Sequence, residues 1–153
     1  MKILIVIILT LWNLNIYSQL NMDSILIEIN SKNFLKTGSK KYLSVEFQRF
    51  ENTKGNETFD IYFDSTGNIG EYIGVSLIKR AFDDEGRLIN QYGYNRNGNY
   101  FLWDFDPIIA YNYKNNTTIK NAFNSKNELS YRSITIIDSL DRIINYIEFN
   151  QYL

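Results

Sequence analysis

The chain contains neither histidine nor cysteine, which removes most of the side chains from which catalytic and metal sites are built. Ser-His-Asp and Cys-His nucleophiles, imidazole acid/base catalysis and the ordinary zinc, copper and haem sites all need one or the other. Carboxylate and Ser-Lys chemistry remain. Asp104 and Asp106 flank Phe105, and residues two apart on a strand point to one side, so the pair could line a pocket, with Glu71 or Glu148 as partners for glycoside hydrolysis. The plainer reading is that both bracket a bend before Pro107 and face water. Ser76-Leu77-Ile78-Lys79 and Lys36-Thr37-Gly38 match elements of penicillin-recognising serine enzymes, but they occur in the reverse order and Ser76 falls in an expected strand. The acidic turn Asp83-Asp84-Glu85-Gly86 and the loop Asn95 to Asn99 lack the alternating acidic ligands and terminal Glu of a calcium loop. No catalytic residue, metal site or cofactor is expected.

Binding chemistry is better represented. Between Tyr92 and Tyr113 lie Tyr92, Tyr94, Tyr100, Phe101, Trp103, Phe105, Tyr111 and Tyr113. Stiff, amphipathic rings at alternating positions can form a platform for sugars or peptides. Tyrosine is equally a strand former that packs in cross-strand pairs. Tyr92, Tyr94, Trp103, Tyr111 and Tyr113 are the candidate ligand-binding residues.

The elements that must position these residues are mostly strands. From Tyr42 onward apolar residues alternate with period two: Leu43, Val45 and Phe47; Phe59, Ile61 and Phe63; Ile69, Ile73, Val75 and Leu77; then Leu88 to Tyr94, Phe101 to Phe105, Ile109 to Tyr113, Ile134 with Ile136, and Ile143 to Phe149. About nine strands result. Pro107, which cannot donate a ladder hydrogen bond, should end one strand and start a bend. Before them, Met22 to Gly38 reads as a short helix opened by Asp23-Ser24, with Ile25, Leu26, Ile29 and Phe34 on its apolar side and Gly38 at its end. Alternation of Ile25, Ile27 and Ile29 leaves a strand as the competing reading.

Between the strands a turn signature recurs: an apolar residue, Asp or Asn, two variable residues, Gly, a polar residue and a second apolar residue. It reads Phe63 to Ile69, Phe82 to Leu88 and Tyr94 to Tyr100, with looser copies at Tyr113 to Ile119, Phe123 to Leu129 and Ile137 to Ile143. Asp or Asn opens a type I turn and Gly supplies the left-handed residue that returns the chain. Phe82-Asp83-Asp84-Glu85-Gly86-Arg87-Leu88-Ile89, followed by Tyr94-Asn95-Arg96-Asn97-Gly98-Asn99, resembles the Tyr-Asp (RHS-type) repeats of bacterial surface and toxin-associated proteins. It is also similar to MORN-like hairpin repeats. The resemblance covers about a third of the chain and implies antiparallel β-structure and an exported context. It carries no catalytic residue across.

The N-terminus supports export independently. Lys2 precedes an apolar run from Ile3 to Trp12 and a polar stretch through Gln19, a run about half the length a membrane span needs. Residues 1–18 are therefore expected to be a signal peptide, cleaved after Ser18, in place of the alternative of a buried N-terminal strand. No cysteine is present for a lipid anchor or a disulfide, so stability must come from packing. Residues 19–41 are expected to form a linker and the short helix, and residues 42–153 an antiparallel β domain. The net charge of −1, from 16 basic and 17 acidic residues that are interspersed, argues for neither nucleic acid nor an anionic membrane as partner.

These features converge on a mainly β chain, an antiparallel meander forming an open sheet or a small barrel. The expected role is an exported, non-enzymatic binding or interaction module for a protein or glycan, in the periplasm or outside the cell. A closed barrel would instead make it a carrier of an apolar ligand. A carboxylate-dependent hydrolase is the third reading.

Overall fold

The computed structural model describes residues 19–31, 33–101 and 106–150. The expected signal peptide, and Trp103, Asp104 and Phe105 with it, lie outside the described residues.

One helix and nine strands follow in chain order: α1 (Met22–Asn30), β1 (Phe34–Lys41), β2 (Val45–Asn52), β3 (Glu57–Asp64), β4 (Leu77–Phe82), β5 (Leu88–Tyr94), β6 (Ile108–Lys114), β7 (Thr117–Phe123), β8 (Leu129–Ile137) and β9 (Ile143–Asn150). They form a single antiparallel sheet in which every strand pairs with its sequence neighbours and β1 and β9 are its two edges. The sheet is open. The barrel interior that an apolar-ligand carrier would need is absent among the described residues.

α1 begins where Asn21 accepts hydrogen bonds from the Asp23 and Ser24 amides, satisfying two of the donors a helix start leaves free. It ends at Asn30 rather than at Gly38. Phe34 opens β1 instead, its ring 5.1 Å from that of Phe59, and Gly38 sits at a β1 bulge opposite Arg49. The β domain thus starts at Phe34, not at residue 42. The segment Ile69 to Val75, expected as strand, makes only isolated bridges. β7, whose polar sequence shows little alternation, takes a place in the ladder that the sequence did not mark.

The turns behave as their residues dictate. Asp64, Asp83, Asn95, Asn124 and Asp138 each accept two backbone N–H bonds, from residues two and four further on. The third residue after each is left-handed: Gly67, Gly86 and Gly98, then Asn127 and Asp141. Asn52 and Gly55 build a related turn between β2 and β3. The looser copy at Tyr113 is different, because Lys114 pairs directly with Thr117 around Asn115-Asn116.

α1 lies on one face of the sheet, where Ile25 and Ile29 join Phe59, Ile61, Leu77, Ile69 and Tyr94 in the core. Phe59, Ile61 and Leu77 are fully buried, each stabilising the fold by about 1.5–3 kcal/mol relative to exposure. Alternation sends the intervening residues to the opposite, open face. Among the described residues no helix covers that face.

Candidate functional site

The open face carries a row of charge across four strands. Asp60 of β3, 2% exposed, accepts Nε and Nη2 of Arg49 at 2.6 and 2.8 Å and pairs with Nη1 of Arg80. Arg80 in turn donates from Nε to Gln91 of β5 at 2.8 Å. A buried carboxylate is tolerable only with such partners. The hydrogen bond to Asp60 raises the Arg49 pKa above its ordinary value.

Beside this row stands an aromatic wall. Tyr72 stacks on Tyr42 at 4.5 Å and on Tyr62 at 5.6 Å, and Phe47 lies 5.7 Å from Tyr62. Burial, then the neighbouring Tyr42 and Asp60, push the Tyr62 pKa upward, which keeps its phenol protonated. Tyr72 reaches the wall because Tyr72-Ile73-Gly74-Val75 forms a two-residue hairpin turn, closed by Tyr72 N–H to Val75 O at 2.9 Å and Val75 N–H to Tyr72 O at 3.1 Å. Ile73 and Gly74 both have positive φ, 54° and 77°. This conformation suits Asn-Gly; a β-branched isoleucine there is strained by about 1–3 kcal/mol. Ile73 is also 47% exposed.

Between this wall and β6 and β7 lies a cleft of about 590 Å³, lined by Tyr72, Ile73, Ile78, Arg80, Tyr111 and Lys120 among others. Its size falls within the range of small-molecule sites, and its composition, mostly apolar with a few convergent polar groups, matches theirs. Lys120 lies 5.5 Å from the Tyr131 ring, and among the described residues no carboxylate forms an ion pair with it. Asp60, the one acid in the charge row, is buried behind its two arginines. The cleft therefore presents excess positive charge between aromatic and apolar walls. A wider trough of about 940 Å³ runs beside α1 along Lys41 to Glu46 and the Asp64 turn, but Asp64 there is committed to its own turn.

The aromatic residues singled out from the sequence do not form one surface. Tyr92 of β5 pairs with Ile108 of β6, and opposed residues share a face, so Tyr92 and Tyr94 fall on one side and the odd-numbered Tyr111 and Tyr113 on the other. Tyr94 is buried in the core beneath α1, with Tyr92 and Tyr100 packed against it. Burial raises the pKa of both Tyr92 and Tyr94. Tyr111 lines the cleft. Tyr113 stacks parallel to it at 6.2 Å and is held by its hydroxyl to Leu88 O and by Arg87 over its ring. Trp103 lies outside the described residues.

The Ser-Lys candidates also separate, and Asp104 of the carboxylate pair lies outside the described residues. Ser76 is fully buried, its hydroxyl without a hydrogen-bond partner among the described residues, whereas Lys79 faces the helix side and pairs with Glu57 at 2.6 Å. Residues three apart on a strand point to opposite faces. Glu71 accepts the Arg96 amide at 2.8 Å, Glu148 is bound by Tyr131 and Tyr146 on the edge strand, and Asp106 stands half-buried next to Pro107 at the start of β6. Among the described residues no group of three acidic side chains converges where a metal could sit.

Tyr42, Tyr62, Tyr72, Ile73, Arg80 and Lys120 were not singled out in the sequence. Two signals pointed to them. Arg49, Asp60 and Arg80 fall at open-face positions of three neighbouring strands with opposite charges, and Tyr72-Ile73-Gly74 places a glycine where a hairpin turn needs one.

Comparison with known proteins gave no match: no family model, no curated protein and no solved structure aligns with the chain.

Proposed function

We propose that this chain is an exported, non-enzymatic binding module that holds a glycan on the open face of its sheet, in the cleft between Tyr72 and Tyr111. The observation that carries the reading is the composition of that cleft: ring faces on two sides, Arg80 and Lys120 within it, and no free carboxylate. Sugar rings lay their apolar faces on tyrosine, and a sugar bearing a carboxylate meets the two cations. The apolar segment Ile3 to Trp12 supports export, and a cell-envelope or extracellular setting supplies polysaccharide. The strained, exposed Ile73 at the rim adds support, because backbone strain of this kind concentrates at ligand sites.

Isothermal titration of the protein lacking residues 1–18 against matched neutral and uronate-containing oligosaccharides tests this. The reading expects binding of the uronate series, at least tenfold weaker binding of the neutral series, and weakening of the former by salt. No binding by either series would overturn it. A protein partner is the second reading, favoured by exposed apolar residues at Leu140, Ile143, Ile144 and Phe149 near the opposite end of the sheet; exposed patches of this kind mark contact surfaces.

A further inference from the structure

The two edges of the sheet are built differently. β1 carries Lys36, Lys40 and Lys41 and a bulge between Lys36 and Gly38, devices that keep another strand from adding. β9 has no Lys, Arg or Pro, and its own register shift is confined to Ile143–Asn145 beside the turn, which leaves Asn145–Asn150 regular; its one charged residue, Glu148, is already bound by the hydroxyls of Tyr131 and Tyr146. All eight of its residues are exposed, with Ile143 at 65% and Phe149 at 53%. Among the described residues nothing lies along its outer side.

We propose that β9 pairs antiparallel with β9 of a second copy, joining two sheets across a two-fold axis. The asymmetry of the edges selects this occupant. Addition of β9 to β1 of another molecule would have to seat on a bulged, lysine-rich strand, and such head-to-tail contacts run on as filaments. Self-pairing uses only the unprotected edge and closes at two. A two-fold axis perpendicular to the sheet keeps each face continuous and opposes residues of the same face. Centred on Ile147, within the regular stretch Asn145–Asn150, it sets Ile147 opposite its own counterpart, Phe149 opposite Asn145 of the second copy and Glu148 opposite Tyr146. An apolar pair then forms on the axis and no like charges are opposed. The net charge of −1 adds little repulsion between copies.

The chain has no cysteine, so a single introduced one reports only intermolecular contact. The test oxidises Asn145→Cys, Tyr146→Cys and Ile147→Cys, with Lys40→Cys on β1 as the comparison, and weighs the wild-type protein by light scattering across a concentration series. The dimer expects twice the monomer mass, disulfide formation at Ile147→Cys on the axis ahead of Tyr146→Cys and Asn145→Cys, and none at Lys40→Cys. It also expects Ile147→Lys to be monomeric with an unchanged far-ultraviolet spectrum. Monomer mass up to about 1 mM, a mass that climbs beyond two copies, or linking through Lys40→Cys as readily as through β9 would each overturn the proposal.

Discussion

Tyr62 and Tyr72 stack at 5.6 Å with their planes 22° apart, although one stands in β3 and the other in a four-residue turn that returns over the open face. The contact anchors the turn to the sheet and makes one side of the cleft. It also explains why a strained isoleucine persists: the stack of Tyr72 on Tyr42 and Tyr62, together with the packing of Phe101 against Gly74, holds the turn in a geometry that Ile73 alone would leave.

Ile73→Asn should therefore raise stability while weakening ligand binding. Asparagine tolerates φ near 54°, and relief of the β-branched strain is worth about 1 kcal/mol, a few degrees in Tm. Loss of the apolar rim should lower glycan affinity. Thermal unfolding and titration on the same variant check both halves, and a fall in Tm would show that Ile73 packs more than it strains.

Asp60→Asn leaves Arg49 and Arg80 facing each other without their shared anion. Breaking a buried pair on one side costs about 3–5 kcal/mol; because Arg49 is 42% exposed, the lower part of that range is expected. Urea unfolding measures it. Replacing Asp60, Arg49 and Arg80 together by apolar residues of similar volume should cost far less.

Gly98→Ala and Gly86→Ala separate backbone strain from steric blocking. Both glycines have φ near +77°, so each substitution pays about 1 kcal/mol for the left-handed conformation. A Cβ at Gly86 meets nothing within 4 Å, whereas at Gly98 it would collide with the Leu20 carbonyl oxygen. Gly98→Ala should be clearly the more destabilising in chemical denaturation, because the segment Gln19-Leu20 leading into α1 must move.

Acid should unfold the protein from about pH 4 downward. The Asp64 carboxyl is held below its ordinary value by the Thr66 hydroxyl, Asp138 by Arg142, and Glu148 by Tyr146 and then Tyr131. A carboxylate whose folded pKa is depressed contributes stability above its unfolded pKa, and that contribution is lost as pH falls through the folded value. Stability measured from pH 6 to pH 2 should decline only in the lower half, and Asp138→Asn should flatten the decline slightly.

Much of the fold was legible because the turns are local. Asp64, Asp83 and Asn95 each sit three residues before a glycine, and that spacing alone dictates a turn. Asn127 and Asp141 take the glycine's place less visibly. β7 was not legible, since Thr117 to Phe123 mixes Thr, Lys and Asn with few apolar residues and is held by its neighbours. The helix was legible, but Asp23-Ser24 was read as its opening where Asn21 caps it and they donate to that cap, and its end was misplaced because Gly38 serves a bulge in β1. The cleft was the least legible part. Tyr92 and Tyr111 look equivalent in sequence, and only the pairing of Tyr92 with Ile108 sends them to opposite faces. The wall opposite Tyr111 comes from Tyr72, a residue distant in sequence.

Amide chemical-shift mapping of the protein lacking residues 1–18, titrated with a uronate oligosaccharide, tests the central claim most directly. The cleft reading predicts the largest shifts at residues 72–75, 78–80, 109–111 and 120, with little change in α1 or at Tyr94. Shifts confined to α1 and the core side around Tyr92 and Tyr94, or no shifts anywhere, would contradict it.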